Sequence, residues 1–160
     1  MTTDLSKTWN FKVQLELGDR GEQLFLERYP RKIEIHPGRE WDFTVKSSRE
    51  KIELKTDSYN IDKSKNFFLE RYSDINRKTP GGPWRAHKDK IDIFCYYFVR
   101  HNIWFEFREL PALIERLDDL TKKKGLVYIK NRGWTTGGYK VKRSDLEEFY
   151  TVWEFDPKKD

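Results

Sequence analysis

The chain has 160 residues, of which 6 are Trp, 8 are Tyr and 11 are Phe, and 37% of its residues are charged. The length suits a single domain over residues 1–160, and so many large aromatic side chains exclude a disordered chain, which buries little. Cys95 is the only cysteine, which excludes an internal disulfide and leaves a buried, inert thiol as the better interpretation. No apolar stretch is long enough to cross a membrane, and the N-terminal residues lack a signal-peptide pattern, so we expect a soluble, cytoplasmic protein.

The formal net charge is +5. A basic surface suits a polyanionic partner such as nucleic acid, because Lys and Arg displace the counterions that phosphates condense. It suits an ordinary solvated surface equally well, so charge by itself favours neither interpretation.

The first half of the chain is predicted to contain a strand, a helix and then several short strands. Apolar and polar residues alternate from Trp9 to Leu17, which is typical of a strand, and helical spacing follows from Asp19 to Tyr29. The apolar run at residues 67–69 indicates a strand buried on both faces. The short strands are predicted at Lys32 to His36, Trp41 to Lys46, Arg49 to Thr56 and Asn66 to Tyr72.

The second half alternates strands with helices. A loop from Thr79 to Pro83 precedes a short helix from Trp84 to about Lys90. A small hairpin is predicted from Trp134 to Val141, then a last helix from Asp145 to about Tyr150 with a capping box of Ser144 and Glu147. Between them lie strands at Ile91 to Val99, Ile103 to Arg108 and Leu126 to Lys130, and a helix from Leu110 to Leu120. The fold class is therefore α/β, with a central mixed β-sheet flanked by helices.

One predicted hairpin carries a group of charged residues. Residues two apart on a strand point to the same face, so Glu53 and Lys55 project together. Asp42, at the start of the neighbouring strand, would bring a second carboxylate close to Glu53. Two carboxylates with a backbone carbonyl and waters suit Mg²⁺, and a lysine beside them can hold or help deprotonate a water or stabilise charge on a phosphate. Glu-x-Lys by itself is common on exposed strands.

The order of these parts resembles the PD-(D/E)xK nuclease superfamily from about Gly18 to Val99. The resemblance implies a restriction-endonuclease-like fold and hydrolysis of phosphodiester bonds with Mg²⁺ or Mn²⁺. It implies that Asp42 and Glu53 are metal ligands, that Lys55 positions the hydrolytic water, and that Glu22 is the acid of the first helix. Trp41 stands where the nominal motif has Pro, and no Gln-x-x-x-Tyr follows the lysine, so the RecB-like branch is not supported.

Three later segments are similar to small, single-domain, phage-type nucleases of this superfamily: Asn66 to Glu70, Gly81 to Ala86 and Lys90 to Tyr97. Glu70 could orient Lys55 or touch the metal shell, and a simple cross-strand salt bridge is at least as good an interpretation. Asp57 is more typical of a polar strand end. Asp92 is expected to be a structural acid that accepts a hydrogen bond from a backbone amide.

The basic residues around the Gly-Gly loop, which contains Gly81 and Gly82, are candidates for nucleic-acid binding because they cluster. Trp84 could stack against nucleic acid, although a Trp on such a helix more often anchors it to the sheet. The three histidines are too scattered to form a zinc site. The predicted nucleic-acid contacts are Arg85, His87, Lys88, Lys90, Lys65 and Arg71.

The sequence therefore predicts a metal-dependent endo- or exonuclease that acts on DNA, with Mg²⁺ or Mn²⁺ as cofactor and no membrane partner. Two copies could pair to cut both strands, and a phage origin within a bacterial host is compatible with the resemblance. The alternative is a basic nucleic-acid-binding module that keeps the nuclease fold without turnover, because a fold does not by itself establish an activity.

Overall fold

The computed structural model describes residues 20–155, and the predicted strand from Trp9 to Leu17 lies outside them. Helix α1 runs through residues 20–28, and α2 (Gly82–Lys88) and α3 (Leu110–Thr121) follow. Two 3₁₀ helices occupy Val99–His101 and Arg143–Phe149. The strands are β1 (Ile33–Ile35), β2 (Phe43–Val45), β3 (Lys51–Asp57), β4 (Asn66–Asp74), β5 (Thr79–Pro80), β6 (Ile93–Phe98), β7 (Ile103–Phe107), β8 (Val127–Lys130), β9 (Thr135–Lys142) and β10 (Tyr150–Glu154).

The strands form two sheets. The larger has the order β1-β2-β3-β6-β7-β10, and it is mixed because β3 and β6 are parallel while its other neighbours are antiparallel. The smaller is antiparallel, in the order β5-β4-β9-β8. The predicted α/β class with a mixed central sheet is confirmed, and the second sheet was not predicted.

Helix α1 covers one face of the larger sheet. Phe25 is fully buried and contacts the rings of Phe43, Tyr97 and Trp104 with centroids 5.3 to 6.4 Å apart. Ile52 of β3 and Cys95 of β6 lie in the same core, so the prediction of a buried thiol is confirmed. This face therefore collects the apolar residues of β3, and Glu53 and Lys55 are left for the other face.

The other face of the larger sheet packs against the smaller sheet and α3. Phe67 of β4 is fully buried, and its ring centroid lies 4.9 Å from that of Tyr96, 5.0 Å from Phe105 and 5.7 Å from Phe107. Leu113 and Leu117 bring α3 into this core. The packing holds β4 close to the face on which Glu53 and Lys55 stand.

Several predictions of detail are wrong. Phe68 is only partly buried, because just one face of β4 packs into the core. The segment predicted as a hairpin from Trp134 to Val141 instead belongs, from Thr135 onward, to the single strand β9, which pairs with β4 on one side and β8 on the other. The predicted loop from Thr79 to Pro83 holds a short strand and the first turn of α2.

The C-terminal prediction also differs from the structure. The expected last helix is a 3₁₀ helix at Arg143–Phe149 that begins after Lys142 without a side-chain cap, so the Ser144–Glu147 capping box does not form. The chain then adds β10 to the edge strand β7, where pairing with an existing strand satisfies the backbone groups. No helix within residues 20–155 is both long and apolar enough to span a membrane.

We expect Phe67→Ala to lower the free energy of unfolding by about 3–5 kcal/mol, because truncation leaves a cavity among packed rings. Phe68→Leu, one residue along the same strand, should cost below about 1 kcal/mol, since this side chain is partly exposed. Urea denaturation of both variants checks the prediction, and equal losses would contradict the one-sided burial of β4.

Candidate active site

Asp42 lies just before β2 and is fixed by the hairpin that joins β2 to β3. Its backbone N–H donates to the carbonyl oxygen of Ile52 at 3.0 Å. Its carboxylate oxygen Oδ2 accepts a hydrogen bond from the backbone N–H of Leu54 at 2.8 Å. The carboxylate is therefore held against β3 on both sides of Glu53, as the predicted hairpin requires.

Glu53 brings a second carboxyl group to Asp42. The two side chains are hydrogen-bonded to each other, and only 12% of the Glu53 side chain is exposed. Burial, the hydrogen bond that protonated Glu53 donates to Asp42 and the charge of Asp42 raise the pKa of Glu53 from 4.5 to about 9, against the opposing charge of Arg85. Such a carboxyl is protonated at neutral pH unless a further cation stabilises its charge.

Lys55 stands two residues beyond Glu53 on the same face of β3. Its Nζ lies 3.0 Å from Oε1 of Glu70, and both side chains are partly exposed. Of the two interpretations of Glu70, the structure shows the salt bridge to Lys55. The contact does not join neighbouring strands, because Glu70 belongs to the smaller sheet and Lys55 to the larger.

The Gly-Gly loop brings α2 close to Glu70. Gly82 has a left-handed φ of +50°, and a Cβ atom at this position would lie 2.8 Å from the carbonyl oxygen of Glu70. A Cβ atom on Gly81 would lie 3.0 Å from the Cβ of Glu70. The two glycines therefore allow a backbone approach that a larger residue would block.

Arg85 reaches from α2 into the carboxyl pair. One guanidinium nitrogen donates to Oε2 of Glu53 at 3.0 Å, and the other donates to the backbone carbonyls of Arg39 and Glu40 at 2.9 and 3.1 Å. Its Nε is 3.4 Å from a carboxylate oxygen of Asp89. The sequence predicted Arg85 as a contact to nucleic acid and missed its bond to Glu53, because no local pattern links the two residues.

An open concavity lies beside this site. It has a volume of about 480 Å³ and is lined by Arg39, Glu40, Trp41, Arg85 and Asp89. The Trp41 ring stacks on His36, with centroids 3.6 Å apart, and the Nζ of Lys51 lies 4.5 Å from its centroid. The concavity adjoins the carboxyl pair through Arg85, which lines it and donates to Glu53.

Glu22, which the resemblance implies is the acid of the first helix, is exposed on α1. This helix covers the face of β3 opposite Glu53 and Lys55, and a Cβ atom on Gly21 would lie 2.4 Å from Cγ2 of Thr56. A catalytic role for Glu22 stays a prediction, and its place on α1 does not bring it into the group formed by Glu53 and its neighbours.

Other acids near the site have structural partners. Asp92 accepts a hydrogen bond from the backbone N–H of Lys51 at 2.8 Å, which confirms the predicted structural role. Asp57 accepts hydrogen bonds from the hydroxyl of Tyr96 and from the backbone N–H of Tyr59. The hydrogen bonds of Asp92 and Asp57 stabilise the two ends of β3.

Trp84 anchors α2 to the core. It is 6% exposed, and its Nε1 donates to Oδ1 of Asp118 on α3 at 2.9 Å. Arg71 stacks over this ring, with its Cζ atom 5.3 Å from the centroid. The remaining predicted nucleic-acid contacts, His87, Lys88, Lys90 and Lys65, are exposed, the first three at or just beyond the C-terminal end of α2.

The donor atoms of the site are those that Mg²⁺ prefers. No three His, Cys, Asp or Glu side chains within residues 20–155 form a set that could hold a metal ion. The Asp42–Glu53 pair offers two carboxyl groups, and Mg²⁺ is commonly held by one or two carboxylates and several waters. A divalent cation would also replace the proton that lets these two groups lie together, so the residues present fit such an ion.

A comparison of the sequence with protein-family models finds no match, and a comparison with curated proteins finds none either.

We expect the free energy of unfolding in EDTA to fall as the pH rises from 4.5 to about 9. The folded protein then holds a proton on Glu53 that the unfolded chain has released, so rising pH favours the unfolded state. Glu53→Gln should flatten this slope, whereas Glu148→Gln, at an exposed position, should leave it unchanged. Urea denaturation across this pH range measures the slopes, and identical slopes for Glu53→Gln and the unsubstituted protein would contradict the assigned pKa.

Proposed function

We propose that this protein is a metal-dependent nuclease that hydrolyses phosphodiester bonds in DNA. The observation that carries the proposal is the convergence of Asp42 on Glu53, with Lys55 on the same face of β3. Two partly buried carboxyl groups beside a lysine are more ionisable groups than a sheet needs for its stability, because withdrawing unbalanced charge from water is costly.

The order of the elements supports the same proposal. Helix α1 is followed by three antiparallel strands, then by β4, β5, the short helix α2 and β6, which pairs parallel to β3. This order agrees with the layout on which the resemblance to the PD-(D/E)xK superfamily rests. A restriction-endonuclease-like fold is therefore part of the proposal.

In the proposed mechanism, Asp42 and Glu53 would hold Mg²⁺ or Mn²⁺. An ion bound there would supply Lewis acidity toward a phosphate oxygen and would lower the pKa of a water. The backbone N–H of Leu54 fixes the orientation of the Asp42 carboxylate. Arg85 keeps a positive charge against Glu53 and so limits the repulsion within the acidic pair.

Lys55 supplies the second part of the chemistry. Its ammonium group can hold the attacking water or stabilise the negative charge that builds on the phosphate. Glu70 accepts a hydrogen bond from this ammonium at 3.0 Å and so limits the positions that the flexible lysine side chain can take. We therefore assign Glu70 as a positioning residue that acts through Lys55.

The exposed basic residues beyond the site suit the phosphates on either side of the bond to be cleaved. His87, Lys88 and Lys90 follow Arg85 along the chain, and each phosphate that such a group neutralises releases counterions. These contacts would position the DNA without reading its sequence.

The purified protein should cleave DNA with Mg²⁺ or Mn²⁺ and not with EDTA. Plasmid, linear, single-stranded and branched DNA should be tested in parallel. Glu53→Gln and Lys55→Met should each slow cleavage by about 100-fold or more, because each removes a group that acts on the transition state.

Two matched variants control for loss of charge alone. Glu148→Gln and Lys46→Met change an acid and a lysine at exposed positions, and their cleavage rates should equal that of the unsubstituted protein. Cleavage that survives both Glu53→Gln and Lys55→Met would overturn the assigned site. Binding without cleavage under every metal would instead favour the non-catalytic nucleic-acid-binding module.

A further inference from the structure

The smaller sheet has a second face that does not pack into the core, and we name it the outer face. Side chains alternate along a strand, so Phe68 and Glu70 of β4 share this face, while Phe67 points into the core. Residues paired across strands lie on the same face. The outer face therefore comprises Asn66, Phe68 and Glu70 of β4, Thr136, Gly138, Lys140 and Lys142 of β9, and Val127 and Ile129 of β8.

Phe68 is the aromatic residue of the outer face. A Cβ atom on Gly138 would lie 2.6 Å from Cζ of the Phe68 ring and 2.9 Å from its Cε2. Glycine at position 138 therefore leaves room for the ring to lie over the neighbouring strand. The side chain stays partly exposed, so it can accept a further flat group.

The charges of the outer face suit a polyanion. Lys140 is paired directly with Phe68, and Lys142 with Asn66, and both lysines are exposed. Glu70 is the one acid among the outer-face residues of the described strands, and it is engaged by Lys55. Val127 and Ile129, which are 38% and 40% exposed, add apolar surface beside the cations.

The outer face is also adjacent to Lys55, one of the proposed catalytic residues. Phe68 and Glu70 are two residues apart on β4, which separates them by about 7 Å along the strand. Glu70 in turn contacts Lys55. A ligand that covers Phe68 would therefore lie next to the proposed site of cleavage.

We propose that the outer face binds single-stranded DNA, with an unpaired base stacked on Phe68 and phosphates at Lys140 and Lys142. Aromatic rings beside a basic track bind single strands, because every unpaired base offers a flat face. In a duplex these faces are already covered by neighbouring base pairs, so Phe68 favours a single strand. The inference rests on the proposed nuclease function where it names the substrate, but the binding itself can be measured without cleavage.

The test is fluorescence anisotropy in EDTA with a labelled single-stranded oligodeoxynucleotide and the same sequence as a duplex. Single-stranded DNA should bind more tightly than the duplex. Phe68→Leu, which keeps an apolar side chain over Gly138, should weaken single-strand binding by about 5- to 100-fold. Phe68→Trp keeps a stacking surface and should retain binding. Trp153→Leu, on β10 of the larger sheet, is the matched control and should bind normally.

A second pair of variants tests the phosphate contacts. The double substitution Lys140→Ala, Lys142→Ala should lower the slope of log affinity against log salt concentration by about 1.4, which is the value for two phosphate contacts on a single strand. Lys46→Ala, at an exposed position in the turn between β2 and β3, should leave the slope unchanged. Circular dichroism and urea denaturation establish that each variant is folded.

The outcomes separate this inference from the proposed function. If Phe68→Leu and the double lysine variant are folded and bind single-stranded DNA as tightly as the unsubstituted protein, the outer face is not the binding site. This conclusion holds even if cleavage depends on Glu53 and Lys55. Equal or tighter binding of the duplex would overturn the preference for single strands. Binding that depends on Phe68 without cleavage under any metal would support this inference and contradict the nuclease.

Discussion

The parallel pairing of β3 with β6 is the constraint on which the rest of the structure depends. Two parallel strands cannot be joined by a tight turn, so the chain between them needs a long crossover. Here the crossover runs through residues 58–92 and contains β4, β5 and α2. Asp92, at the end of the crossover, accepts a hydrogen bond from the backbone N–H of Lys51 and so fixes the start of the paired strands. Because the crossover must return over one face of β3, it brings Glu70 and Arg85 to the same face as Glu53 and Lys55.

The charged groups at this face are crowded together and depend on one another. Glu53 and Asp42 crowd two carboxyl groups into a place with little water, and the pKa of Glu53 rises as a result. Arg85 offsets part of that charge from one side, and Glu70 holds Lys55 on the other. The remaining imbalance is what a divalent cation would relieve. The same side chains thus hold the site together and carry its proposed chemistry.

One face of β4 packs into the core, and the other is the face for which DNA binding is proposed. Phe67 is enclosed by aromatic rings of the larger sheet, and its neighbour Phe68 lies over Gly138 with part of its ring exposed. Alternation along the strand therefore joins the core to the outer face through adjacent residues. Glu70, two residues on, links the outer face to Lys55. The proposed single-strand surface and the proposed nuclease site share this strand, so a change in its register would affect both.

Sequence patterns were sufficient for the features that depend on local chemistry. Alternation on β3 predicted that Glu53 and Lys55 share a face, the hairpin predicted the approach of Asp42, and the apolar setting of Cys95 predicted its burial. Such features depend on residues close in the chain, where strand and turn geometry leave few alternatives. Only the tertiary structure decided that β4 belongs to a second sheet, that Arg85 binds Glu53, and that α1 covers the face opposite the site. These contacts join residues far apart in the chain, and they follow from how the crossover packs, which no local pattern records.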